Sequence, residues 1–134
     1  MSIEHALSFI NIGYFNSNNS SQNTKSFISL PFEKRLELAT SMREKYPSRI
    51  PVIIISKKLE ITKIKYLVPD DISFAQFQLS IRKNLPNLKK EQSIFFFVNN
   101  NILNNTSIMS SIYNEHKNKD QFLYIQVCIE NVFG

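Results

Sequence analysis

Few side chains in this 134-residue chain suit covalent or acid–base chemistry near neutral pH: one cysteine, Cys128, and two histidines, His5 and His116. A cysteine nucleophile needs a base beside it, and no histidine neighbours Cys128 in sequence. Cys128 falls in a strand-like run and reads as a core residue. His116 closes a helical stretch, where a cation complements the helix dipole. The two glycines, Gly13 and Gly134, cannot build a phosphate-cradling loop. No pair of carboxylates stands out, and metal-ligand spacings are missing. These residues argue against an enzyme and call for no metal or cofactor.

What remains is recognition chemistry, centred on Lys63-Ile64-Lys65-Tyr66-Leu67-Val68-Pro69. The alternation predicts a strand, with Ile64, Tyr66 and Val68 on one face and Lys63, Lys65 and Leu67 on the other. Leu67 is apolar among lysines. It is either an ordinary surface apolar residue or one wall of a groove for an extended peptide at a sheet edge.

The elements that must position this strand follow in order. The stretch Asn16 to Asn23 has almost nothing to bury, so residues 1–26 are expected to be a disordered extension. A domain is expected over 27–134. Pro31 suits a helix start, and Phe32, Leu36, Ala39, Met42 and Tyr46 recur at helical spacing, with Leu38 off the stripe and exposed. Pro47 ends this helix. Ile50 to Ile55 predicts a central strand, apolar on both faces, with Pro51 at its start or facing an unpaired edge. A short link, Ser56 to Thr62, makes a hairpin with the lysine-bearing strand. Ser73 and Gln76 form a capping box ahead of a helix with Phe74, Phe77, Ile81 and Leu85 on one side. Ser93 to Val98 predicts a third strand, Thr106 to His116 a helix, and Phe122 to Ile129 the last strand. The order predicts an α+β fold of ubiquitin-like (β-grasp) type: a four-stranded mixed sheet, two core helices and an added N-terminal helix.

Composition bounds the partners. The net charge is +5, which favours acidic partners or surfaces. The basic residues are scattered over Lys34-Arg35, Lys57-Lys58, Arg82-Lys83 and Lys89-Lys90, without interleaved aromatics, which argues against nucleic acid. The lone cysteine excludes an internal disulfide and suits a reducing compartment. No apolar run approaches the ~20 residues of a membrane-spanning helix, and the start lacks the basic region and cleavage site of a signal peptide.

Specific strings then accumulate in register: Pro31-Phe32-Glu33-Lys34-Arg35, Lys45-Tyr46-Pro47, Arg49-Ile50-Pro51-Val52-Ile53, Lys65-Tyr66-Leu67-Val68-Pro69, Ile81-Arg82-Lys83, Phe95-Phe96-Phe97-Val98-Asn99-Asn100, Tyr113-Asn114-Glu115-His116 and Phe122-Leu123-Tyr124-Ile125. From Pro31 to Gly134 the chain resembles the autophagy ubiquitin-like modifiers, the family of GABARAP and microtubule-associated protein light chain three. The resemblance implies a non-enzymatic cytoplasmic modifier that becomes attached to autophagosome membranes. It implies conjugation of Gly134, preceded by Phe133, to phosphatidylethanolamine. It implies activating and conjugating enzymes as partners, and cargo receptors carrying aromatic-x-x-aliphatic motifs. Carried over by position, the aromatic pocket would use Met42, Pro51, Ile53, Lys65, Leu67 and Phe122. The aliphatic pocket would use Tyr66, Val68, Pro69, Ile72, Phe77 and Ser80. Arg49 and Lys65 would meet acids flanking the peptide. Leu38 stands where the family commonly has an acidic residue, which is expected to favour Phe or Tyr over Trp; Ser80 makes the second pocket more polar. Two other readings remain open: a modifier joined to a protein by an isopeptide bond, and a non-conjugated peptide-binding module.

Overall fold

The computed structural model describes residues 13–14, 27–56, 64–83, 85, 89 and 92–131. Among the described residues, these elements follow one another: β1 (Gly13–Tyr14), α1 (Phe32–Lys45), β2 (Arg49–Ser56), β3 (Lys65–Pro69), α2 (Phe74–Lys83), β4 (Gln92–Phe97), α3 (Met109–His116) and β5 (Leu123–Asn131). The strands form one sheet in the order β1-β3-β2-β5-β4. Among the described strands, β2 and β5 run parallel and the other pairs are antiparallel. The expected mixed sheet of four strands is present, with the two-residue β1 added at its edge. Of the extension 1–26, Gly13–Tyr14 departs from the expected disorder by joining the sheet; the rest lies outside the described residues.

Each helix has a local reason to start. The Pro31 carbonyl accepts the amides of Lys34 at 3.0 Å and Arg35 at 3.1 Å, opening α1. The capping box ahead of α2 forms as the sequence predicts. The Ser73 amide donates to Gln76 Oε1 at 2.9 Å, and the Gln76 amide donates to Ser73 Oγ at 3.2 Å. α3 is shorter than expected, beginning at Met109 rather than Thr106. The hydroxyl and amide of Thr106 are instead held by the Asn104 side chain in a turn, since such residues offer the backbone an alternative to helix.

Each face of the sheet carries a buried cluster. On one, α2 and α3 bring Phe74, Phe77, Ile81, Met109, Ile112 and Tyr113 onto alternate residues of the strands, including Val52, Ile54, Tyr66, Val68, Leu123 and Ile125. On the other, Phe27 and Ala39 close over Ile53, Ile64, Leu67 and Phe122. The alternation of β2 apolar residues is thus explained: its even members serve the large core and Ile53 the small one.

The orientation of α1 corrects the sequence reading. Phe32 and Tyr46 are exposed, at 40% and 38%, whereas Leu38 packs beside Ala39 and Met42 on the small core. The buried face is Arg35, Leu38, Ala39 and Met42, a proper i, i+3, i+4, i+7 set. Phe32 and Tyr46 had suggested another phase, but Phe32 stacks its ring near the Arg35 guanidinium and Tyr46 near the Lys45 ammonium in the surface layer. Ile108, just before α3, is also exposed. Cys128 is only half-buried.

Candidate peptide-docking edge

The register of β2 against β3 decides which backbone groups of β3 face away from β2. The Ile54 amide donates to the Ile64 carbonyl at 2.9 Å. In an antiparallel ladder such hydrogen-bonded pairs alternate with non-bonded ones. Hence Val52 and Tyr66, and Ile50 and Val68, face each other through hydrogen bonds, whereas Pro51 and Leu67 do not. Pro51, which has no N–H, therefore turns its nitrogen away from β3. On that side β5 pairing begins only at Val52 with Leu123. The sequence expectation for Pro51 holds: it costs the ladder no donor. The same alternation turns the amides and carbonyls of Lys65 and Leu67 away from β2, to the side of β3 where the two-residue β1 lies.

Side chains along β3 divide between the two cores. Leu67 enters the small core with Ile53 and Phe122, while Tyr66 and Val68 enter the large core with Ile72 and Phe77. The residues expected to line an aromatic pocket thus gather on one face, with Met42 packed against that cluster from α1 and Pro51 buried in β2. Those expected to line an aliphatic pocket gather on the other. There Pro69 and Ser80 are half-buried, and Ser80 Oγ donates to the Gln76 carbonyl at 3.0 Å. Leu67 is not the exposed residue its lysine neighbours suggested; it is 6% exposed.

Charge sits at the same edge. Arg49 Nη1 donates to the outward-facing Leu67 carbonyl at 3.1 Å. Lys65 is almost buried, with its ammonium 5.6 Å from the centre of the Phe27 ring. Burial pulls the Lys65 ammonium below its usual range. Gly134 lies outside the described residues.

Two features escaped the sequence reading. Phe27 has no exposed surface and meets Phe122 edge to face, with ring centres 5.1 Å apart. Its signal was only its place at the onset of order. The other is a polar network at the base of α1. Asp120, fully buried, accepts from Arg35 Nη1 at 3.2 Å, from the Tyr124 hydroxyl, and from the Phe122 amide at 2.9 Å. An acidic residue two positions before a strand is the available hint, since Asp commonly turns back onto the amide two residues on. Among the described residues, no His, Cys, Asp and Glu group is placed to hold a metal, and no helix is long and apolar enough to cross a membrane.

Comparison with known proteins gives the fold a lineage. The sequence model described as "Autophagy protein Atg8 ubiquitin like" matches residues 34–134. The chain belongs to the Atg8 ubiquitin-like family. Relatives of this Atg8-family chain include autophagy-related protein 8a of Arabidopsis thaliana, 45% identical over 111 residues, spanning 80% of this chain and 90% of that protein. Autophagy-related protein 8 of Dictyostelium discoideum is 44% identical over 108 residues, spanning 78% and 88%. Among solved structures, Trypanosoma brucei ATG8 superposes with a TM-score of 0.71 at 33% identity, covering 84% of this chain and 99% of that one. Plasmodium falciparum Atg8, solved in complex with a Plasmodium falciparum Atg3 peptide, gives 0.68 at 30%, covering 75% and 92%.

Proposed function

We propose that this Atg8-family chain is a lipid-anchored adaptor of autophagy rather than an enzyme: Gly134 forms an amide with the headgroup amine of phosphatidylethanolamine, and the β3 edge takes up extended peptides from cargo receptors and conjugating enzymes. The observation that carries the peptide reading is the division of β3 between two faces. Along a strand, residues an odd number apart point to opposite faces. An aromatic-x-x-aliphatic peptide lying on β3 therefore sends its two anchors to opposite sides of the sheet. The Leu67 cluster lies on one side and the Tyr66 and Val68 cluster on the other. Arg49 at the edge offers a cation to acidic flanks. The Plasmodium neighbour bound to an Atg3 peptide supports a conjugating-enzyme peptide as one such partner.

The lipid reading rests on family membership, with the matched region running through Gly134. It is tested by intact mass spectrometry after incubation with cognate activating and conjugating enzymes, ATP and phosphatidylethanolamine vesicles. The expected result is a gain of one lipid mass, lost in Gly134→Ala. A protein adduct at Gly134 would establish an isopeptide-linked modifier instead. No adduct, with a working control modifier in the same mixture, would leave a non-conjugated docking module.

A further inference from the structure

We propose that the β3 edge is occupied by the chain's own N-terminal segment, so that Gly13–Tyr14 competes with any incoming peptide and Phe27 fills the place of its aromatic anchor. This rests on the peptide reading above. Gly13 lies opposite Leu67 and Tyr14 opposite Tyr66, antiparallel. The amide and carbonyl of Leu67 point outward, as the β2 register requires. These are the groups an added strand must pair with, and Gly13 already faces them. One edge cannot hold two strands.

Phe27 is the second, independent plug. Its ring packs edge to face on Phe122 and lies under the Lys65 ammonium. It shares one buried cluster with Ile53 and Leu67. Those four residues are among the six that the resemblance assigns to receive the peptide's aromatic. An aromatic side chain is already in place, supplied by the residues leading into α1.

The device is built to open. A two-residue strand holds few backbone hydrogen bonds, and such short pairings are marginal alone. Apparent peptide affinity is then the intrinsic affinity multiplied by the fraction of molecules with a free edge. Weakening β1 raises that fraction without touching any group that contacts the peptide.

The test uses the full chain and Gly13→Pro, which removes the amide facing Leu67. A fluorescein-labelled acidic peptide bearing Phe-Glu-Glu-Leu is titrated into each and followed by anisotropy. The expected result is about tenfold tighter binding to Gly13→Pro, the scale of one or two lost hydrogen bonds. In the unsubstituted chain, peptide is expected to move the Gly13 and Tyr14 amide resonances to unpaired positions. Phe27→Leu, which keeps an apolar filler, is expected to tighten binding to a peptide aromatic further, with a thermal melt confirming its fold. Equal affinities with β1 resonances unmoved would overturn self-occupation and leave the peptide reading standing. No binding to any of the three proteins would overturn both.

Discussion

Arg35 on α1 reaches Asp120 in the turn before β5, with Nη1 3.2 Å from Oδ2. The contact fastens the added helix to the turn that leads into an interior strand of the ubiquitin-like sheet. Asp120 has no exposed surface, and two further donors share its carboxylate. Asp120→Ala leaves the Phe122 amide and the Tyr124 hydroxyl without their carboxylate acceptor, and leaves Arg35 with only the Tyr124 hydroxyl in place of its counter-charge. The expected loss is about 3 kcal/mol, the scale for breaking a buried ion pair from one side. Urea denaturation of both proteins measures it.

Tyr124 gives this network a dependence on alkaline pH. Burial first, then its hydrogen bond to Asp120, push the Tyr124 hydroxyl well above its ordinary range. In the unfolded chain it ionises near 10.0. The folded state therefore holds its proton more tightly, and the stability this confers is complete below that pH and lost as pH rises beyond it. Tyr113 shares the direction through its own burial. Lys65 has the opposite sign, because burial lowers its value and its penalty is relieved as pH rises. The clean comparison is Tyr124→Phe. Its stability deficit relative to the natural chain is expected to be flat below about pH 9. Above about pH 10 it should shrink by up to about 1.4 kcal/mol per pH unit, read from urea midpoints across that range.

The capping box sets the start of α2. Ser73→Ala removes the acceptor for the Gln76 amide, with an expected cost of about 1 kcal/mol. Adding Gln76→Ala should cost less than a second full increment, since both residues serve the same helix start. A double-mutant cycle followed by thermal melting gives the coupling.

Gln121 adopts a positive φ of 73° between the Asp120 turn and β5. A β-branched residue is poorly accommodated there, so Gln121→Val is expected to destabilise by about 1–2 kcal/mol. Gln121→Gly keeps the conformation accessible and is expected to unfold at or above the temperature of the natural chain. A midpoint for Gln121→Val equal to that of Gln121→Gly would show that the turn can be reached with negative φ.

Much of the fold was legible because local signals agreed with each other. Strand alternation, Pro47, the Ser73–Gln76 pair and the asparagines at 99 and 100 each mark a boundary that the structure keeps. Asn99 and Asn100 both take positive φ, 50° and 65°, and close the turn between Val98 and Asn101, as Asn tolerates best after Gly. The phase of α1 was less legible. Its apolar residues fit two stripes, and the choice is made by Asp120 and Phe27, which are distant or outside the helix. Leu67 misled for a related reason: lysine neighbours suggest solvent, but Lys65 lies along an apolar surface with its ammonium near a ring. The candidate edge was legible as a strand with unusual composition. That part of the extension would occupy it was not, because two residues carry too little pattern to announce a strand.

The parallel pairing of β2 with β5, Val52 opposite Leu123 through Ser56 opposite Val127, has a consequence for synthesis. The middle of the sheet joins segments made early and late. While the chain emerges, β2 offers Ile50, Val52, Ile53 and Ile54 with no neighbour on one side until β5 has been made. Closing so long a loop is slow compared with local helix formation. The nascent chain therefore spends its synthesis with its most apolar strand half-uncovered, a natural client for the chaperones that wait at the ribosome exit.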